Sequence, residues 1–436
     1  MKFRKLLGAG LVAALAVAGQ AHSAHAEPTD VEYTLELLQP GPGQIVSSGL
    51  AVNANGDTAG IVRPESTAQP QFTAVWPADG TDPTVLPQLT DSRFSRPFDI
   101  NAAGTVVGEA FDADGYTVPI QWVDGEASVV DPLRAEGRGP AAGIADNGDI
   151  VGTAGGRAWL VHDGHADRFE MPALTEGEPD GTRVAAISDS GAHAAGTVQV
   201  SVPHGDHSHD EDFLLVWHDG HPTAYPSEPD GLAFRVHDVN DSGLVVGRTL
   251  VERVTGAVQW RDGVMSRLGD PEVPEMPYTA ANAVNADAVV VGHASKFADN
   301  TSFGGVAVRW AADGPVDLNT VVELPEGVVL QKAADINADG VIVGSASTPD
   351  GMRAFRLTPV AGDADPEPEQ PITEPEQPIT EPENPVTDPG APGGSAGTGS
   401  GTGDGTPGGG EAPTPPAGST PAPGARASQG LPATGN

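Results

Sequence analysis

The chain has 436 residues, with 60 Asp and Glu against 22 Lys and Arg and a formal net charge of -38. That balance excludes nucleic acid and anionic lipid as partners, because either polyanion would be repelled. There is no cysteine, so an exported domain of this sequence must be held by its own core or by closure of its sheets, without disulfides.

At the N-terminus, Lys2, Arg4 and Lys5 precede the apolar run "LLGAGLVAALAVAG", and Ala24-His25-Ala26 forms a small-x-small cleavage site. Residues 1–26 are therefore predicted to be a secretory signal peptide cut between Ala26 and Glu27. The other reading is an uncleaved anchor. No further long apolar run follows, so no membrane contact is expected of the mature form. Loss of the three basic residues takes its charge from -38 to -41.

The unit "DINADGVIVG" at Asp335 has six earlier versions. They are "AVNANGDTAG" at Ala51, "DINAAGTVVG" at Asp99, "GIADNGDIVG" at Gly143, "AISDSGAHAAG" at Ala186, "DVNDSGLVVG" at Asp238 and "AVNADAVVVG" at Ala283. Their last glycines, Gly60, Gly108, Gly152, Gly196, Gly247, Gly292 and Gly344, are 44 to 52 residues apart. A period of ~40–50 residues suits four-stranded propeller blades. In the second unit "RPFDIN", "TVVGEAF", "YTVPIQWV" and "EASVVDPL" read as strands, separated by Asn, Asp and Gly turns. No segment keeps helical periodicity for three turns, so the class is all-β.

A second signature follows each unit, as in "TAVWP", "PIQWVDG" and "RAFRL". All six tryptophans (Trp76, Trp122, Trp159, Trp217, Trp260 and Trp310) fall in it, and Phe355 is read as their counterpart in the seventh unit. Aromatics confined to one phase of a repeat are expected to be blade core rather than a ligand platform. The seventh unit stops after a third strand, whereas "VEYTLELLQP" from Val31 is a strand without a unit. Pairing the two would close a ring and remove two sheet edges. The expectation is a seven-bladed β-propeller over residues 27–360, with four-stranded blades and an N-terminal closing strand. An open β-solenoid is the competing architecture.

The pattern N-x-x-G-x-V-V-G followed by A-F/V-x-W resembles the HAF family of bacterial extracellular repeats. The family segment appears here as Arg353-Ala354-Phe355 and Arg157-Ala158-Trp159, with the His kept in no unit. The resemblance spans residues 48–358 and implies an exported β-repeat protein with no catalytic residues to carry over.

Residues 361–430 repeat Thr-Glu-Pro-Glu and then turn rich in Gly, Pro and Thr. Proline, like charge and glycine give no core, so this stretch reads as a disordered spacer. "GGSAG" and "GDGTPG" within it lack the flanking strand and helix that would make them catalytic or nucleotide motifs. The end, residues 431–436, contains Leu431-Pro432-Ala433-Thr434-Gly435 and resembles the LPxTG sorting signal of Gram-positive surface proteins. That resemblance implies sortase cleavage between Thr434 and Gly435 and linkage to cell-wall peptidoglycan. The family pattern continues with an apolar segment and a basic tail, so the sequence is expected to be incomplete beyond Asn436. Without that tail the protein would be released.

The sequence offers three candidate chemistries. Asp335, Asn337 and Asp339 begin like a calcium loop, but the ninth and twelfth positions hold Val343 and Ala346. A turn capped by its own Asn and Asp, with glycine in the left-handed region, is the expected alternative. "SVPHGDHSHDEDF" from Ser201 is read as a hairpin loop in the fourth unit. There His204, Asp206, His207 and His209 could hold Zn²⁺, or could be an ordinary polar loop. No zinc-protease helix, phosphate loop or Asp-box is present. The expected function is a non-catalytic, monomeric module, secreted or displayed on the cell wall, that binds a protein or glycan without a resident cofactor. The alternative is a secreted propeller hydrolase or lyase acting on extracellular polysaccharide. Several acids or a His–acid pair in a polar central depression would favour that alternative.

Overall fold

The computed structural model describes residues 31–64, 70–90, 92–172, 178–204, 207–226, 233–251, 254–296 and 304–360. The chain divides into two units, residues 1–368 and 369–436, and all described residues lie in the first. Signal peptide, spacer and sorting motif, with Ala26, Glu27, Thr434 and Gly435, lie outside the described residues.

Twenty-eight strands among the described residues form seven four-stranded antiparallel sheets. They are the blades of a β-propeller, and the repeat units map onto them one to one. Within a blade the strands are called a to d in order from the axis outward. The a strands are Val46–Val52, Ser95–Ile100, Ala141–Ile144, Glu178–Ile187, Ala233–Val239, Tyr278–Val284 and Val329–Ile336 in blades 1 to 7. Among the described residues, helix is confined to Asp131–Ala135 and the 3-10 turn Leu318–Thr320.

The repeat glycine has a steric cause. Each a strand carries a bulge or register shift just before its end, which presses a carbonyl oxygen onto the b strand. A Cβ at Gly108, Gly196, Gly247, Gly292 or Gly344 would collide with the carbonyl oxygen of Arg96, Arg183, Arg235, Ala280 or Lys332. The turn glycine is a separate requirement. Gly340 has φ 77°, and Ala288, which replaces it in blade 6, is held at φ 60°.

Five tryptophans occupy one core position, opposite the second residue before the repeat glycine: Trp76, Trp122, Trp217, Trp260 and Trp310, none above 5% exposed. The indole N–H groups of Trp76, Trp122, Trp217 and Trp310 reach back to the preceding blade, that of Trp76 to Gln39 O at 2.8 Å. Trp122 donates to Pro87 O at 2.8 Å, Trp217 to Glu170 O at 2.9 Å and Trp310 to Gly269 O at 2.6 Å. The expected equivalence of Trp159 and Phe355 to these residues is corrected by the register. Both pair directly with the glycine, Gly152 and Gly344, two residues earlier on the c strand. Val161 and Leu357 hold the tryptophan position instead, paired with Ile150 and Ile342. The space above a glycine admits a ring, and the Phe355 ring lies against Gly344.

Blade 7 is completed from the other end of the domain. Tyr33–Leu38 is its d strand and pairs with Gly351–Pro359 from Tyr33↔Pro359 to Leu38↔Ala354. Leu38 is fully buried with Val62, Ala74 and Trp76 of blade 1. Arg356 fixes this junction. It is 2% exposed and donates to Pro77 O and Ala78 O at 2.9 Å, to Thr58 Oγ1 and to Glu36 Oε2. Its guanidinium thus joins strand c of blade 7, the closing strand and blade 1.

Two stability changes are expected. Deleting residues 31–40 should expose the edge of blade 7 and cause aggregation or a large drop in Tm, because one blade's loss opens the ring. A monomer of unchanged Tm would contradict closure. Arg356→Met should lower unfolding free energy by about 3 kcal/mol, since several buried carbonyls lose their donor; chemical denaturation measures it.

Candidate functional site at the propeller axis

The a strands surround an axial cavity of about 140 Å³, to which strands or turns of blades 1 to 7 contribute. Its wall is built at two levels. At the first, the asparagine of the repeat follows the a strand in blades 1, 2, 5, 6 and 7. Each Oδ1 accepts a backbone N–H of its own turn, as from Thr105 to Asn101 at 3.0 Å and from Val341 to Asn337 at 2.9 Å. Each Nδ2 donates to the next blade. Asn53 reaches Asn101 O, Asn101 reaches Ala145 O, Asn240 reaches Asn285 O, Asn285 reaches Asn337 O and Asn337 reaches Asn53 O, at 2.7 to 3.2 Å.

Blades 3 and 4 carry Ala145 and Ser188 at that position. There the link passes through neighbours: Asp146 N donates to Asp189 O at 2.8 Å, and Ser190 donates from N and Oγ to Asp241 Oδ1 at 3.0 and 2.6 Å.

At the second level Asp99, Asp238 and Asp335 each bridge two blades. One carboxylate oxygen accepts the next residue's N–H (Ile100, Val239, Ile336). The other accepts an N–H of the following blade (Ile144, Val284, Val52), and all six bonds are 2.8 Å. Burial is the main cause of the raised pKa at these groups, and neighbouring carboxylates add to it. Asp99 is pushed up to about 6, Asp335 to about 7, and Asp238 well above the usual range. Asp189 is raised for the same two reasons, by burial and by Asp146 and Asp241.

Beside Asp238, His237 donates from Nδ1 to Ala281 O at 2.6 Å, again across a blade boundary. Burial pulls its pKa down to about 4, and Arg248 and Lys332 act in the same direction. The ring is therefore neutral at pH 7, with the lone pair on Nε2.

The carboxylate oxygens of Asp335 that opened the calcium pattern are both engaged by backbone donors, and the loop supplies turn and blade contacts. The histidine tract is placed differently from the expected loop. It lengthens strands b and c of blade 4, His193–His204 and His207–His218, to 12 residues each, and the ladder runs out to His204↔His207. Asp206 and the side chains of His204, His207 and His209 lie outside the described residues. Among the described residues, no group of three or more His, Asp or Glu is arranged to hold a metal ion.

No protein-family model and no curated protein matches the chain. Among solved structures it is similar to the β-propeller domain of the trilobed protease from Pyrococcus furiosus, at 10% identity over 74% of this chain and 99% of that one, TM-score 0.47. It is also similar to an ulvan lyase, at 10% identity over 72% and 94%, TM-score 0.40. A third is a TolB-like protein from Agrobacterium tumefaciens, at 14% identity over 54% and 87%, TM-score 0.32. Likenesses this distant go no further than the fold.

The buried carboxylates give a pH dependence of defined sign. With native pKa values raised above the unfolded value, the native state binds more protons, so stability is greatest at low pH and falls as pH rises through about 6 to 7. Thermal melts should show Tm dropping between pH 5 and pH 8. Asp335→Asn should be less stable at pH 5, because an amide nitrogen cannot accept, and should show a shallower decline. An undiminished slope in the variant would assign the effect elsewhere.

Proposed function

We propose that the chain is an exported, non-catalytic binding module, held away from the cell wall by its acidic spacer and presenting the propeller to a protein or glycan. The observation that carries this reading is the employment of the axial acids. Of the six aspartates on the cavity wall, the three most deeply buried, Asp99, Asp238 and Asp335, each have both oxygens bonded to backbone N–H groups, one of them across a blade boundary. A general acid or base must be free to reach its substrate. The cavity also holds about 140 Å³, against ~300–1,000 Å³ for sites that enclose a small ligand. A polymer would have to be met on the propeller's face.

That face has suitable features. Phe94 and Phe111 stack at 4.6 Å where blade 2 begins strand a and ends strand b, and the guanidinium of Arg138 lies over the Tyr116 ring. The extended hairpin of blade 4 rises from the same b–c side. A signal peptide and an LPxTG-like end support secretion and sortase attachment to peptidoglycan, with the module acting as a monomer.

The catalytic alternative, a polysaccharide hydrolase or lyase, retains two favourable observations. Asp189 lines the cavity with a pKa raised by burial and by Asp146 and Asp241. His237 is neutral, next to Asp238 and on the cavity wall.

A screen of the full chain against glycans and secreted proteins should yield a ligand that is bound and recovered unchanged. Phe111→Ala should weaken that binding at least about tenfold, which is about 1.4 kcal/mol, without altering Tm. Turnover of a polysaccharide, lost in His237→Gln, would overturn the binding reading.

A further inference from the structure

In blades 2, 5 and 7 the bridging aspartate is preceded by a basic residue at the same distance: Arg96 before Asp99, Arg235 before Asp238, Lys332 before Asp335. These are equivalent positions on three a strands, so the propeller places them at one level around its axis, toward the b–c side. Blade 5 adds another cation. Arg248 on strand b pairs directly opposite Arg235, a like-charge juxtaposition that an antiparallel ladder ordinarily avoids.

Arg235 is exposed, and this positive charge has little compensation among the described residues. Among the described residues, Arg96 pairs with Glu109 at 2.9 Å, and no ion pair reaches Arg235, Arg248 or Lys332. Four cations meet one carboxylate among the described ion pairs, an excess of about +3 in a chain whose total is -38. Arg96 also keeps a buried Nε without a partner. The groups sense one another across the axis. The Lys332 pKa is lowered by burial and then by Arg248 and Arg96, and that of His293 falls to about 3 through burial and then Lys332 and His237. Residues of blades 2, 5, 6 and 7 converge here, which only the axis permits.

Two explanations compete. A purely structural role would have these cations neutralise the axial carboxylates, but those already spend their oxygens on backbone N–H groups three residues further along. The remaining role is to await an anion. We propose that Lys332, Arg248, Arg235 and Arg96 form an oxyanion site at the axial mouth, fitted to a single carboxylate or sulfate group such as an acidic sugar carries. The chain's overall charge would repel a long polyanion, so the site selects one compact anionic group presented at the mouth. This deepens the binding reading and names the chemistry of its ligand.

The test is calorimetry of the full chain at low salt with two probes, glucuronate and inorganic sulfate. One-to-one saturable uptake of either is expected; glucuronate alone marks a carboxylate site and sulfate alone a sulfate-ester site. Lys332→Met and Arg248→Met should each weaken uptake at least about tenfold while Tm holds or rises, because repulsion is relieved. Arg134→Met, on the short helix after blade 2, should change nothing. Absence of saturable heat up to ~10 mM, an affinity beyond any recognition role, would overturn the assignment. Equal affinity in both variants would do so too, as would a fall in Tm that marks the two cations as structural. A ligand from the surface screen together with no anion uptake would reject this site alone and leave the binding reading standing.

Discussion

The structure depends on one constraint: each blade must be joined to the next at the axis, where sheet edges come closest. Backbone ladders cannot do this, because the a strands of neighbouring blades do not pair. The chain uses mainly side chains instead, with a backbone bond from Asp146 N to Asp189 O between blades 3 and 4. An asparagine whose amide serves its own turn and the next blade at once satisfies two needs with one residue. Aspartates add a second hoop, and tryptophan indoles add a third nearer the rim. Because a buried donor or acceptor left unpaired costs about 1–3 kcal/mol, these links are most costly to break where the ring is joined, at Asn337, Asp335 and Arg356. Cysteine is not needed.

Much of this was legible in the amino-acid sequence, for a physical reason. A ring of similar blades asks for the same turn, the same close approach and the same core ring in every blade, so the asparagine, the glycine and the aromatic recur at a readable period. The strand from Val31 was legible because the last unit lacked one. What stayed hidden was everything defined by a partner in another blade. Asp335 was read as a cap on its own turn, and the bond from Val52 N spans 283 residues. The phase of Trp159 and Phe355 was misassigned because the register of strand c is set by pairing, not by the local motif. Arg356 carries no local signal, because its partners Glu36, Thr58, Pro77 and Ala78 lie far from it along the chain. The basic level was on view in "RPFD", "RVHD" and "KAAD", but its meaning needed the three strands to be brought to one axis.

The axis therefore carries two opposite chemistries within a few residues. Its acidic level is saturated by backbone donors and serves cohesion, with carboxylates whose raised pKa values are a cost of burial. Its basic level has more charge than the fold uses. A repeat protein can vary such positions freely, because they lie outside the turn and core requirements, and function in propellers is placed on positions of that kind. The lengthened hairpin of blade 4 and the aromatic pair of blade 2 are departures of the same sort, each in a single blade and each on the b–c side.

The central claim is that seven blades behave as one closed ring and not as a row of independent units. Amide hydrogen exchange of the full chain, compared with Asn337→Ala, tests it most directly. One cut link should lower protection in the a strands of all seven blades together, including blades 3 and 4 on the far side, because opening anywhere releases the whole ring. Loss confined to blades 7 and 1, with the far blades unchanged, would contradict it.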